Sequence, residues 1–259
     1  MRTRTLLGVG GVLLVIAVVG LIWTESRADD KLTVPAAAAS KLIDEDTKEI
    51  QKTLSDAKVG NKDRKRALIL AVVIAAVAND NAKDPKMAAT RDEALKIADA
   101  LKKEDTAAAK AAAMNLSKIS GGSGNQPMKL DLAKYVYDDE NKDFDRDLLM
   151  HLFKSSRAGG LGIETLIKNN CDKAPTGKDV DKSINAIYTI AALSSVIEQV
   201  GPKEKVGAKD PKDWVRFSKA LKDSVAEAYD KKKPADVKNA FNKIDASCVG
   251  CHNVFKKNN

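Results

Sequence analysis

Residues 234–256 read PADVKNAFNKIDASCVGCHNVFK, and their apolar side chains recur at the spacing of an amphipathic helix. Six of them follow one another in steps of 4, 3, 4, 3 and 4 residues: Val237, Phe241, Ile244, Cys248, Cys251 and Phe255. Such spacing lines one face of a helix with apolar groups, as in helical bundles. Pro234 suits the first turn, where its missing amide hydrogen would have no partner. The segment therefore predicts a helix whose two cysteines face a bundle interior.

The same segment contains Cys248-x-x-Cys251-His252, the attachment signature of a c-type haem. Two thiols three positions apart lie on one helix face, where each can form a thioether with one haem vinyl group. The histidine that follows is then placed as the proximal ligand of the iron. The sequence therefore predicts one covalently attached haem c, held by these three residues.

Three other interpretations of the cysteine pair are weaker. A zinc site needs four ligands, and the chain has only five candidates: Cys171, Cys248, Cys251, His151 and His252. A thioredoxin-like redox pair would follow a strand of a βαβ unit, which this sequence lacks. A disulfide between positions i and i+3 of a helix has poor geometry.

The composition limits the fold class and the partners. With 31% charged and only 4% aromatic residues, and with little alternating pattern, the chain is predicted to be all-α. The formal charge of +8 favours acidic partner proteins, but acidic and basic residues are mixed as on a solvated helical surface. No nucleic-acid motif is present, so no nucleic-acid partner is expected. No arrangement of nucleophile, base and orienting acid is evident either, so no enzyme is predicted.

The N-terminal region has the pattern of an export segment. Arg2 and Arg4 precede an uncharged apolar run over residues 5–23. As a helix this run spans about 28 Å, close to the thickness of a hydrocarbon core. Residues 1–30 are interpreted as a membrane anchor or as a signal peptide, since Ser-Arg-Ala at 26–28 fits a cleavage site. Both alternatives predict a periplasmic protein or one on the outer face of the cytoplasmic membrane, anchored or secreted.

The remainder is predicted to form two tandem four-helix bundles. The first, residues 31–125, has predicted helices at about 36–58, 62–79, 85–103 and 106–119. A linker, residues 126–142, carries a short amphipathic stretch at 128–137. The second, residues 143–259, has predicted helices at about 143–169, 179–200, 211–230 and 234–256.

The two halves share short sequences at a nearly fixed offset. AKDPK occurs at residues 82–86 and again at 208–212. With a two-residue adjustment, SGGSG at 120–124 aligns with CVGCH at 248–252, so serines stand opposite the cysteines. A repeat of this kind favours duplication over chance similarity between alanine- and lysine-rich helices. The first half contains no Cys or His, so it cannot attach a haem by this chemistry.

This arrangement resembles the cytochrome c-prime family, in which a four-helix bundle carries its haem motif near the C-terminus. The resemblance covers about residues 143–257. Pro211-Lys-Asp-Trp-x-x-Phe217 is similar to the start of the family's third helix. Arg146-x-x-x-Met150 resembles the family's first-helix arginine and the residue that faces the distal side of the iron.

The residue at the Met150 position divides this family. A methionine there resembles the low-spin branch, in which its sulfur is the sixth ligand and suits electron transfer. An apolar, non-ligating residue marks the high-spin branch, which binds gases such as nitric oxide. Ordinary core packing by Met150 is the alternative. His151 is the rival ligand, but it points about 100° away on a helix, so only one of the two can face the iron.

The resemblance implies an exported monohaem cytochrome that passes single electrons to redox partner proteins. It also implies that Arg146 pairs with a haem propionate, although an exposed ion pair is an equal alternative. Family members often dimerise through their first two helices, so a homodimer is a further expectation. The main alternative function is gas binding, of nitric oxide or carbon monoxide. A third is an interaction module in which the haem-less half binds a partner.

Two other features need an explanation. Residues 158–162, AGGLG, lie inside a predicted helix, where each glycine costs about 1 kcal/mol relative to alanine. Either a flat group or another helix approaches closely there, or the helix breaks. Cys171 is a third cysteine, left over outside the haem motif of an exported protein. It either pairs with a cysteine of another chain or remains a free thiol, buried or in a loop.

Overall fold

The computed structural model describes residues 34–56, 58–122, 127–138, 140, 146–229 and 233–256. Its α-helices are α1 (Ala36–Ser55), α2 (Asn61–Asp80), α3 (Pro85–Lys102), α4 (Thr106–Leu116), α5 (Ala133–Val136), α6 (Ile163–Asp172), α7 (Lys178–Gln199), α8 (Pro211–Ala226) and α9 (Pro234–Phe255). Two short 3₁₀ segments span Arg146–His151 and Ser156–Ala158. No β-strand lies in these ranges, which confirms the all-α prediction.

The predicted export segment, residues 1–30, lies outside the described residues. Of the helices in the described ranges, none combines the length and the apolar character needed to cross a bilayer.

The repeated AKDPK sequence has the same local role at both of its positions. The Asp84 carboxylate accepts a hydrogen bond of 2.8 Å from the Lys86 amide at the start of α3. The Asp210 carboxylate accepts one of 2.9 Å from the Lys212 amide at the start of α8. Caps of this type contribute about 1 kcal/mol each, and the proline that follows each aspartate favours the first helical turn. Duplication of the two halves itself stays a prediction.

Helix α2 is the most deeply buried element, since every residue over positions 67–79 is buried. It contacts α1 and α3, and also α7 and the first 3₁₀ segment, which belong to the other half of the sequence. Within each predicted half, consecutive helices contact each other and the first contacts the last. The buried apolar side chains form one continuous cluster from Val34 to Ile244. The boundaries predicted for the two bundles and the linker stay predictions.

The helix predicted over residues 143–169 is wrong as one continuous element. In its place are the two 3₁₀ segments, a loop through Gly159 and Gly160, and α6. Gly159 has φ +88° and Gly162 has φ +75°, in the left-handed region that favours glycine. The alternative stated above, a break at the AGGLG sequence, is confirmed.

A buried carboxyl group in α1 leads to a prediction about pH. Asp46 is 6% exposed and its Oδ2 has no hydrogen-bond partner among the described residues. Burial, together with Glu45 and Glu49, raises the pKa of this carboxyl well above its usual value. The folded state therefore favours the protonated form, and stability falls as pH rises from the unfolded pKa, about 4, through the folded one.

We therefore expect Asp46→Asn to be more stable than wild type at pH 7 by about 1–2 kcal/mol, with a smaller difference near pH 4. Thermal unfolding of both proteins at the two pH values measures this. Asp44→Asn, at an exposed position of the same helix, is the control and should change little. A larger gain at pH 4 than at pH 7 would contradict the expected sign.

Candidate functional site

A cavity of about 470 Å³ lies among α6, α7, α8, α9 and the first 3₁₀ segment. This volume falls within the range of about 300–1,000 Å³ that is usual for cofactor pockets. Cys248, Cys251 and His252 line it from α9, and Met150 lines it from the 3₁₀ segment. The remaining wall is largely apolar: Phe153, Ile167, Ile197, Trp214, Phe217 and Leu221. The fold thus brings four of the five predicted site residues to one cavity, although Met150 is distant from the motif in sequence.

The two motif thiols are half-buried on α9 and are not joined in a disulfide. Burial, with a contribution from Asp245, raises the pKa of the Cys248 thiol to about 12. Burial alone raises the pKa of the Cys251 thiol to about 11. Both are therefore neutral thiols near pH 7. The three cysteines, Cys171 included, are free, so the disulfide interpretation has no support.

His252 lies at the mouth of the cavity, with an exposed side chain. Desolvation of its ring, together with the charge of Lys256, lowers the pKa of this histidine. The neutral ring is thus favoured at neutral pH, and it keeps a nitrogen lone pair available for a metal ion.

Met150 and its neighbour His151 point to different surroundings. Met150 is half-buried and its side chain lines the cavity. His151 is only 8% exposed and does not line the cavity. Its ring lies close to the backbone of Lys62 in α2, and burial lowers the pKa of this histidine. Of the two rival ligands, Met150 alone is at the cavity; whether it binds a metal stays a prediction.

Arg146, the fifth predicted site residue, begins the first 3₁₀ segment. Its side chain lies outside the described part of the structure, so its proposed contact stays a prediction.

Sequence reasoning missed the charged rim of the cavity. Six charged side chains lie there: Asp147, Lys154, Glu164, Lys168, Asp245 and Lys256. The i,i+4 spacing of Glu164 and Lys168 indicates an ion pair, which is present at 2.7 Å and lowers the pKa of the glutamate. That spacing does not indicate a cavity, because the opposite wall comes from other helices.

Aromatic packing explains the glycine between the two cysteines, which was not assigned a role above. A Cβ at Gly250 would lie 2.8 Å from Cε1 of Phe217, so any other residue here would displace the Phe217 ring from its present position. Trp214 donates a hydrogen bond of 2.8 Å from its indole nitrogen to the Ile197 carbonyl. Its ring meets Phe255 edge to face, with centroids 4.9 Å apart. These contacts give the apolar wall a fixed shape.

The side chains present suit a covalently held haem better than a zinc ion. Within the described ranges, no group of three or more His, Cys, Asp or Glu side chains is arranged to hold a metal ion. The zinc interpretation therefore lacks a ligand set. A haem iron takes only two axial ligands from the protein, and the macrocycle needs an apolar cavity with thiols at its edge. The cavity and its donor groups fit that requirement.

No protein-family model, curated protein or solved structure matches this chain. The cytochrome c-prime resemblance therefore rests on the sequence motifs quoted above.

Proposed function

We propose that this chain is an exported monohaem c-type cytochrome, similar to the low-spin branch of the cytochrome c-prime family, that transfers single electrons. The observation that carries the proposal is the apolar cavity where Cys248, Cys251 and His252 meet Met150. A bound haem supplies an iron that exchanges one electron between its ferric and ferrous states. In this proposal the second half is a four-helix bundle formed by α6 to α9.

Each side chain of the site has a separate task in this proposal. Cys248 and Cys251 would hold the haem through thioether bonds, and His252 would bind its iron through the imidazole. Met150 would provide a thioether sulfur to the iron, which would favour the ferrous state and raise the reduction potential. With both of these ligands supplied by the protein, little rearrangement would accompany a change of charge.

The apolar wall and the rim affect the electron transfer differently. Trp214, Phe217 and Leu221 exclude water from one side of the cavity, and low polarity favours the less charged redox state. The rim carries three lysines and three acidic residues, so its charges largely balance. Attraction of an acidic partner is therefore supported by the net charge of +8 rather than by this rim. Export, attachment to the membrane and a homodimer remain part of the proposal on sequence grounds.

The sixth ligand is the most direct test of the function. We expect the wild-type holoprotein to be low-spin in both oxidation states and not to bind carbon monoxide when ferrous. Met150→Ala should become high-spin and take up carbon monoxide, because its distal position lacks a side-chain donor. Absorption spectra of the ferric, ferrous and carbon monoxide-treated forms measure this.

The matched control is Met114→Ala, because Met114 lies on α4 of the haem-less half and is 51% exposed. Its spectra should equal those of the wild type. A wild-type protein that is high-spin and binds carbon monoxide would remove Met150 as the ligand, and gas binding would become the better-supported function.

A further inference from the structure

We propose that the haem-less half of the chain positions Met150, through a contact between His151 and the start of α2. His151 is a positioning residue in this proposal and does not itself touch the haem. The inference rests on the proposed function, since it concerns the sixth ligand of that site. It gives the first half a task that no motif in its sequence indicates.

The first observation is the burial of His151 where the two halves meet. His151 is 8% exposed and lies close to the backbone of Lys62, in the first turn of α2. Its Nε2 is buried and has no hydrogen-bond partner among the described residues. The helix that the first 3₁₀ segment contacts here belongs to the haem-less half.

The second observation is the close packing around the histidine ring. A Cβ at Gly159 would lie 3.0 Å from Nε2 of His151 and 3.2 Å from Cβ of Lys62. Gly159 therefore covers the ring on one side and touches α2 on the other. The ring therefore lies between the AGGLG loop and the haem-less half.

The third observation is a set of backbone hydrogen bonds between the AGGLG loop region and the residues that follow Met150. The Leu161 amide donates to the carbonyl of residue 152 over 2.9 Å. The Gly162 amide donates to the carbonyl of residue 154, and the Glu164 amide to that of residue 153, each over 2.8 Å. These bonds tie the loop to the residues directly after His151. A single short 3₁₀ segment has poor internal hydrogen bonds, so its geometry depends on such external contacts.

The direction of Met150 follows from the fixed position of His151. Neighbouring residues of a 3₁₀ helix project about 120° apart. A ring held against α2 therefore fixes the rotation of the segment about its axis, and Met150 then points to the cavity. Loss of the His151 contact frees this rotation without removing the sulfur.

The test compares His151→Ala with His151→Asn in the full-length holoprotein. The alanine variant should be partly high-spin and bind carbon monoxide when ferrous, at a level at least about tenfold above the wild-type background, because the space left by the ring frees the segment. The asparagine variant, whose planar amide fills part of that space, should restore most of the wild-type spectrum. Amide hydrogen exchange over residues 148–153 should be faster, again by about tenfold, in His151→Ala alone.

Gln51→Ala is the control for a general loss of stability. It removes a hydrogen bond of 2.8 Å from the Gln51 side chain to the Ala113 carbonyl, within the haem-less half but away from the 3₁₀ segment. Its spectrum and carbon monoxide binding should match wild type. If His151→Ala stays low-spin and inert to carbon monoxide while Met150→Ala does not, this inference is wrong and the proposed function stands. A high-spin wild type would overturn both.

Discussion

A variant with Cys248→Ser and Cys251→Ser is expected to carry no covalently bound haem, whereas Cys171→Ser should carry as much as wild type. The hydroxyl group of serine does not form the thioether bonds that hold a c-type haem. Haem staining after denaturing electrophoresis measures the covalent fraction directly, because a non-covalent haem dissociates under these conditions. We expect the signal of the double variant to fall to background.

Cys171→Ser is the matched control for the double variant, because it also replaces a thiol with a hydroxyl group. Cys171 is the third and last thiol of the chain, lies half-buried on α6, and does not line the cavity. A loss of stain in Cys171→Ser, or its persistence in the double variant, would contradict the assignment of the motif. Zinc bound by the wild type and lost in all three single-cysteine variants would support the metal-ion interpretation instead.

The substitution Gly160→Ala is expected to produce the largest loss of stability of the changes considered. A Cβ at this position would lie 2.2 Å from the Lys154 carbonyl oxygen and 2.4 Å from that of His151. Both oxygens are already held, since the Gly162 amide donates to the first and the Lys154 amide to the second. The loop must therefore move as a whole, at a cost of about 3 kcal/mol or more. Chemical denaturation of wild type and variant measures the difference.

Two other glycine-to-alanine substitutions serve as controls for the steric clash expected in Gly160→Ala. Gly162→Ala meets open space but has φ +75°, so it should cost about 1 kcal/mol through backbone strain alone. Gly121→Ala also meets open space, without a left-handed φ, and should change stability by less than about 0.5 kcal/mol. A Gly160→Ala variant no less stable than Gly162→Ala would show that the loop does not pack against the 3₁₀ segment as described.

The sequence alone determined the features that depend on neighbouring residues. The starts of α3, α8 and α9 were predicted to the residue, because aspartate caps and first-turn prolines act within a few positions. The apolar spacing in residues 234–256 likewise predicted α9 and placed both cysteines on its buried seam. The motif chemistry is also local, since Cys248, Cys251 and His252 fall within five consecutive positions.

The tertiary structure alone decided the rest of the site, because each remaining feature joins residues that are distant in sequence. Met150 lines the cavity, whereas His151 lies close to Lys62 in the other half, and nothing in the local sequence distinguishes these two positions. The predicted helix over 143–169 breaks because a chain reversal at the AGGLG loop forms hydrogen bonds back to residues 152–154, and a continuous helix would exclude them. The glycine between the cysteines owes its role to an aromatic ring on α8. Periodicity reports which face of an element is apolar, but not which partner covers that face.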